Sequence, residues 1–323
     1  MHDNNPEGSM LAHSLFARSP KNPILTAKSW PYPVNAVFNP AAVIVEGETV
    51  LMVRVEDRSG ISHLTVARSQ DGVHDWKIDS KPTFVADPQR YPEEIFGVED
   101  PRLTWLEERG EWAMTYTAVS DHGTYVSLAT TKDFKSFARK GTILRPPDKD
   151  AAFFPRRIGD RWAILHRPIL DPNQDAHIWL SYSPDLKHWG ESKAVLKARS
   201  GTWWDAGKIG LCPGPIETPE GWLVLYHGVR KHCSGSIYRL GLALLDLKDP
   251  SKVLRRSDGW VMTPDAPYEV TGDVGQVVFP CGWVHDQSRD EVRIYYGGAD
   301  TCVAVASVPM QQLMEYVRSC PND

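Results

Sequence analysis

His63-Leu-Thr-Val-Ala-Arg-Ser-Gln-Asp71 carries apolar residues at alternate positions and then runs into a small polar turn. The same plan returns as Val126-Ser-Leu-Ala-Thr-Thr-Lys-Asp133, Ile178-Trp-Leu-Ser-Tyr-Ser-Pro-Asp185 and Leu240-Gly-Leu-Ala-Leu-Leu-Asp246, with a degenerate fifth copy at Cys302-Val-Ala-Val-Ala-Ser-Val308. The closing residues Asp71, Asp133, Asp185, Asp246 and Val308 stand 62, 52, 61 and 62 residues apart. Near-constant spacing of this length marks a chain built from repeated supersecondary units. In the first three copies a large ring follows (Trp76, Phe137, Trp189), as expected where an outer strand drops an aromatic side chain between neighbouring sheets.

A second motif interleaves with the first: a proline, a short apolar strand, a polar turn and a second strand. Its copies begin at Pro40, Pro101, Pro155, Pro215 and Pro280. The second strands read Val50 to Arg54, Trp112 to Tyr116, Trp162 to His166, Trp222 to Tyr226 and Val292 to Tyr296, with hairpin signals such as Glu46-Gly47, Gly159-Asp160 and Glu220-Gly221. Each repeat thus supplies a four-stranded meander. Five meanders predict an all-β, five-bladed β-propeller, in which every sheet buries both faces against its neighbours. A pair of β-sandwiches would share the alternation but has no reason to repeat five times. Met310, Leu313, Met314 and Val317 fall at helical spacing and predict a short C-terminal helix over 309–319. The expected organisation is one domain over 1–323, with 1–20 as an N-terminal extension.

With 323 residues, 41% of them hydrophobic, the chain can bury a large core, and a net charge of −5 argues against nucleic acid as a partner. The five cysteines show no CxxC or Cys/His ligand spacing, so neither a disulfide framework nor a metal site is expected. Met1 to Ser9 is polar, and no later run approaches the roughly 18 apolar residues of a membrane span. The expectation is a soluble, cytoplasmic protein with no membrane partner. Propeller flanks can be solvated or paired, so a homo-oligomer stays open.

In a propeller, residues at the starts of the innermost strands and the ends of the second strands converge on an axial funnel. The candidates are Asn39 and Arg54; Asp100 and Arg102; Lys149, His166 and Arg167; Lys208, Tyr226 and His227; and Asp273 and Asp300. Each alone has a plainer reading: Arg102 as an ion-pair partner of Glu99, His166 or His227 as a hydrogen-bonded core histidine. Recurring at equivalent strand ends, they point instead to a lined pocket.

Their charges bear on the chemistry. Inverting glycoside hydrolysis needs a carboxylic acid for the leaving group and a carboxylate base for water. Attack by inorganic phosphate needs no base, because the nucleophile is already anionic, but it needs a cationic cradle. Lys149, Arg167, Lys208 and His227 suit that cradle, while Asp273 and Asp300 keep a hydrolytic base in play.

At these residues the chain resembles glycoside hydrolase family 130, the mannoside phosphorylases and related mannosidases with a five-bladed propeller fold. The matching segments run from Phe38-Asn39-Pro40 and Gly97-Val-Glu-Asp-Pro-Arg102 through Phe154-Pro155, His166-Arg167-Pro168, Lys208-Ile209-Gly210, Thr218 to Trp222 and Tyr226-His227-Gly228-Val229. They continue with Gly272-Asp273-Val274, Phe279-Pro280-Cys281 and Tyr295 to Asp300. The resemblance implies that Asp100 is the proton donor, acting directly or through a sugar hydroxyl. It implies that Lys149, Arg167, Lys208, His227 and Tyr238 hold phosphate. Asn39, Arg54 and Asp300 are implied to bind the mannose whose bond is cleaved, with Arg102, His166 and Asp273 as further substrate-binding candidates. Lys149 stands where some phosphorylases carry Arg, which keeps the charge and gives up the bidentate geometry. Family members that hydrolyse β-1,2-mannosides have lost the cationic positions, so their retention favours phosphorolysis.

The expected reaction is inverting phosphorolysis of a β-linked mannoside (mannobiose or manno-oligosaccharide), giving α-mannose 1-phosphate and a shortened sugar, with no cofactor beyond phosphate as co-substrate. An inverting β-mannosidase and a non-catalytic glycan-binding propeller are the alternatives. Acceptor choice should rest on the loops Asp79 to Phe96, Asp171 to Ala176 and Arg230 to Ser236, and on Tyr91, Trp203 and Trp204 as stacking surfaces.

Overall fold

The computed structural model describes residues 14–170, 175–233 and 235–322. Five antiparallel sheets follow one another along the chain. Blade 1 runs Ala36–Val45, Glu48–Glu56, Ser62–Ser69 and Lys77–Ile78, and blade 2 runs Val98–Leu106, Glu111–Ser120, Gly123–Thr131 and Ala138–Thr142. Blade 3 comprises Asp148–Phe153, Trp162–Pro168, Ile178–Ser183 and Gly190–Leu196. Blade 4 comprises Lys208–Leu211, Gly221–His232, Gly235–Leu245 and Val253–Arg256, with Ile216–Thr218 as an extra short strand on Gly221–His232. Blade 5 has Val278–Asp286, Glu291–Gly298 and Cys302–Pro309, and its outermost strand is Ala17–Arg18.

That closure alters the expected extension. Residues 1–13 lie outside the described residues, but Ala17 and Arg18 pair with Ser307 and Ala306, and Leu25 bridges Val303. The segment from about residue 17 onward therefore belongs to the ring, joining its first and last blades. The fifth repeat reads as degenerate for the same reason. Its chain passes at Pro309 into the helix Met310–Ser319, which buries Met310, Leu313, Met314 and Val317, and the N-terminal segment supplies the missing outer strand.

The repeat marker has a local physical cause. Asp71, Asp133, Asp185 and Asp246 each accept hydrogen bonds from backbone N–H groups two and three residues on, at 2.8–2.9 Å, which closes the turn between third and fourth strands. The core divides in the same rhythm, with one buried apolar cluster at each of the five blade interfaces. Leu106, Ala113 and Val126 of blade 2 meet Ala151, Phe153 and Ile164 of blade 3, for example. Strands buried on both faces explain the near-continuous apolar runs of the second strands. Trp76 packs edge-on to Tyr295 across the closing interface, and Trp189 stacks on Phe153.

Among the described residues no helix is long and apolar enough to cross a membrane.

Candidate active site

The innermost strands of blades 1, 2 and 3 share one backbone device. Asn39, Asp100 and Asp150 all adopt left-handed conformations, with φ of 45°, 47° and 53°. Each sits where the pairing register shifts, between Phe38 and Ala41, between Glu99 and Arg102, and between Lys149 and Ala152. Asn and Asp tolerate this region better than other side chains, and a bulge re-aims a side chain that regular pleating would send between the blades. All three line a cavity of about 140 Å³ at the axis. Its wall also includes Arg54, Lys149, Arg167, Lys208, His227, Tyr238, Phe279 and Asp300.

One side of the cavity is built around Asp100. Asn39 Nδ2 and Arg54 Nη1 both donate to Asp100 Oδ1, each at 3.0 Å. Arg54 also donates from Nη2 to Glu99 at 2.9 Å and from Nε to Ser62 at 3.0 Å, and its guanidinium lies over the Phe38 ring. Asn39 fits because Gly297 has no Cβ, which would stand 2.1 Å from Asn39 Oδ1. Burial works to raise the Asp100 pKa, but Arg54, Lys149 and Arg102 outweigh it and hold the carboxyl below its ordinary value. Glu99 is pushed up by burial against the pull of Arg54. Asp300, on the turn after Gly298, is pushed up to about 6, by burial first and then by the Asp100 charge.

The other side is cationic. Arg167 Nε donates to Asp150 Oδ2 at 2.7 Å, and His227 Nε2 lies 3.8 Å from the same oxygen. Lys208 Nζ donates to the Tyr238 hydroxyl at 2.6 Å. The His227 ring stacks on Tyr238 and meets Phe279 edge-on. Burial pushes the His227 pKa well below its ordinary value, so the ring is neutral at neutral pH and can donate one N–H.

Nine sequence-derived candidates (Asn39, Arg54, Asp100, Lys149, Arg167, Lys208, His227, Tyr238 and Asp300) therefore share one chamber. Four others stand elsewhere. Arg102 is buried beneath the floor, donating to the carbonyls of Asp100, Leu211 and Cys212 and lying 3.4 Å from Asp150. His166 points to the other face of its strand, where its Nδ1 meets Asp148 at 2.6 Å and its Nε2 meets Ser181 at 2.8 Å. Asp273 is exposed and accepts a hydrogen bond from Asn35 Nδ2 at 3.2 Å. Tyr226 is buried under Trp204, and neither ring reaches the chamber: Trp204 Nε1 donates to the Asp258 carbonyl. Trp203 remains exposed and Tyr91 half-buried, while of the expected acceptor loops 171–174 and residue 234 lie outside the described residues.

Asp150 escaped the sequence reading. The proline that follows Asn39 and Asp100 is replaced there by Ala151, so the repeat frame fell on Pro155, beyond the strand that carries the bulge. The residue before the bulge, Lys149, pairs with Arg167 as Phe38 pairs with Arg54, a correspondence that shows only once the strands are paired.

At the opposite end of the axis a larger depression of about 310 Å³ is lined by Ile44, Trp105, Trp112, Trp283 and other mainly apolar residues. It contains no carboxylate, lysine or arginine, so the chemistry belongs to the smaller chamber.

The family model described as β-1,4-mannooligosaccharide phosphorylase, that of glycoside hydrolase family 130, matches residues 16–319. The chain belongs to glycoside hydrolase family 130. This family 130 chain is 38% identical over 256 residues to a β-1,2-mannobiose phosphorylase of Listeria innocua, covering 79% of the chain and 69% of the relative. It is 34% identical over 306 residues to a β-1,4-mannooligosaccharide phosphorylase of Ruminococcus albus, covering 92% and 89%. The solved complex of β-1,2-mannobiose phosphorylase from Listeria innocua with β-1,2-mannobiose superposes with a TM-score of 0.85 at 30% identity, covering 94% of this chain and 99% of that one.

Proposed function

We propose that the chain catalyses inverting phosphorolysis of β-mannosides. The observation that carries this reading is the division of one small chamber into a carboxylate side, with Asp100 and Asp300, and a side made of Lys149, Arg167, Lys208, His227 and Tyr238. Cations and neutral donors converging from separate blades are what an oxyanion nucleophile requires. The phosphorylase relatives support the same reaction. Their named linkages include both β-1,2 and β-1,4, so the substrate class is a β-mannoside without a fixed linkage.

In this mechanism phosphate rests on Lys149, Arg167 and Lys208, with His227 and Tyr238 completing its hydrogen bonds. A terminal mannose lies against Asn39, Arg54 and Asp300. A phosphate oxygen forms a bond to the anomeric carbon from one face as the bond to the leaving oxygen breaks on the other. Asp100 supplies the proton that the leaving oxygen takes, directly or through a sugar hydroxyl. A single displacement inverts the centre and gives α-mannose 1-phosphate and a sugar one unit shorter.

The electrostatics give phosphate a second part. Arg54, Lys149 and Arg102 by themselves hold Asp100 below its ordinary pKa, which suits a base better than an acid. An anion seated on Lys149 cancels part of that field, and a bound sugar excludes water; both shifts favour the protonated carboxyl. Phosphate thereby primes the acid as well as attacking. The reaction calls on no metal or organic cofactor. A cytoplasmic setting fits the unpaired thiols, including the exposed Cys233.

The test is to supply β-1,2- and β-1,4-mannobiose with and without phosphate and to assay mannose 1-phosphate. Release of free mannose at equal rates in both conditions would replace this reading with the hydrolytic one.

A further inference from the structure

A fully buried carboxylate under a phosphate site is an expensive neighbour, because its charge repels the anion that the cations attract. Asp150 is such a group. Its residue exposure is 1%, and it lines the cationic side of the chamber. Three positive or donor groups from three blades meet it: Arg167 Nε at 2.7 Å, Arg102 Nη2 at 3.4 Å and His227 Nε2 at 3.8 Å. Burial works to raise its pKa, but Arg167 foremost, with Arg102 and Lys149 beside it, holds the carboxyl far below the ordinary carboxylate range, so it is ionised whenever the enzyme works. The surrounding backbone makes room for it. A Cβ on Gly210 would stand 2.4 Å from Asp150 Oδ2, 2.4 Å from His227 Cε1 and 2.8 Å from His227 Nε2. The left-handed bulge that aims Asn39 and Asp100 into the sugar side aims Asp150 into the cradle.

Resting on the phosphorylase reading, we infer that Asp150 is the positioning residue of the phosphate site: its carboxylate fixes Arg167 by the Nε–H, ties it to the buried Arg102, and sets the place of the His227 ring. With Nε–H engaged, the guanidinium of Arg167 has N–H groups on Nη1 and Nη2 that no side chain or carbonyl among the described residues takes, and they face an anion in an orientation set before it arrives. Preorganised donors of this kind bind without the cost of ordering a long side chain on each turnover. Asp150 engages Arg167 and His227 on the cationic side of the chamber and not Asn39, Arg54 or Asp300, to which the mechanism gives the sugar, so the inference predicts an effect confined to phosphate.

Two variants separate positioning from charge. Asp150→Asn keeps the shape and removes the charge that anchors Arg167, and Gly210→Ala wedges the anchor from His227 while leaving every charge in place. Circular dichroism first establishes that each is folded, and steady-state rates are then measured with β-mannobiose and inorganic phosphate varied in turn. Both variants should raise the KM for phosphate by about tenfold or more, as loss of an orienting partner does at other ion sites, while the KM for mannobiose stays within about twofold. An unchanged or lower phosphate KM in Asp150→Asn, the result a purely repulsive carboxylate would give, overturns the inference. So does a parallel rise in both KM values. If the wild-type enzyme releases mannose without phosphate, the phosphorylase reading fails and the inference with it; if the wild type needs phosphate and Asp150→Asn binds it normally, the inference alone fails.

Discussion

Replacing Asp300 by Asn should stabilise the protein at neutral pH and leave it unchanged near pH 4. Asp300 is pushed from 3.8 to about 6, by burial and then by the Asp100 charge, with Arg54 opposing. Below pH 3.8 both folded and unfolded chains carry the proton, and the group contributes nothing to the difference. Between about 4 and 6 the folded state keeps a proton that the unfolded state releases, so stability falls as pH rises; above about 6 the whole cost is present. The shift is roughly two pKa units, and at about 1.4 kcal/mol for each the cost is about 3 kcal/mol. Asn occupies the same volume and cannot ionise, so it removes that cost. Denaturant titrations of both proteins at pH 4 and pH 7 measure the difference. A gain for Asp300→Asn that grows by about 2–3 kcal/mol between the two is expected. A difference that does not vary with pH, or a variant less stable than wild type at pH 7, would refute the reasoning. Such a cost is tolerated at a carboxylate that lines a functional chamber, where function and stability need not agree.

Two further substitutions probe the site. Arg54→Lys keeps the positive charge but cannot bond Ser62, Glu99 and Asp100 together from one plane, so kcat should fall by about a hundredfold with the phosphate KM little changed; steady-state kinetics that retain kcat would show Asp100 to be held by other means. His166→Phe leaves Asp148 buried without its imidazole partner and should cost about 3 kcal/mol in denaturant titration while both KM values stay put; a raised mannobiose KM with normal stability would return His166 to the substrate site.

The blades were legible because their markers have local causes. An aspartate that closes a turn through two backbone N–H groups must recur wherever the turn recurs, and apolar alternation follows from burial on both sheet faces. The Asp100 side of the chamber was legible through Asn39 and Asp100, whose following prolines flag the bulge. Asp150 was hidden because Ala151 follows it. Arg102 and His166 were misplaced for a different reason. Strand residues alternate between faces, and a bulge shifts the alternation by one, so residue type alone does not say which neighbour faces the axis. In blade 3 it is Arg167 that enters the chamber and His166 that turns to Asp148 and Ser181. The joining of N-terminal segment to fifth blade could not be read either, since the partners Ala17 and Ser307 are almost a full chain length apart.

The central claim is that one displacement by phosphate, with Asp100 as acid, converts a β-mannoside. Proton NMR of the first-formed product, taken with β-mannobiose and saturating phosphate for wild type and Asp100→Asn, tests it most directly. The account predicts α-mannose 1-phosphate from the wild type before any other mannose species, and a loss of about a hundredfold or more in its rate of formation for Asp100→Asn. A β-configured phosphate, free mannose as the first product, or an Asp100→Asn enzyme as fast as wild type would contradict it.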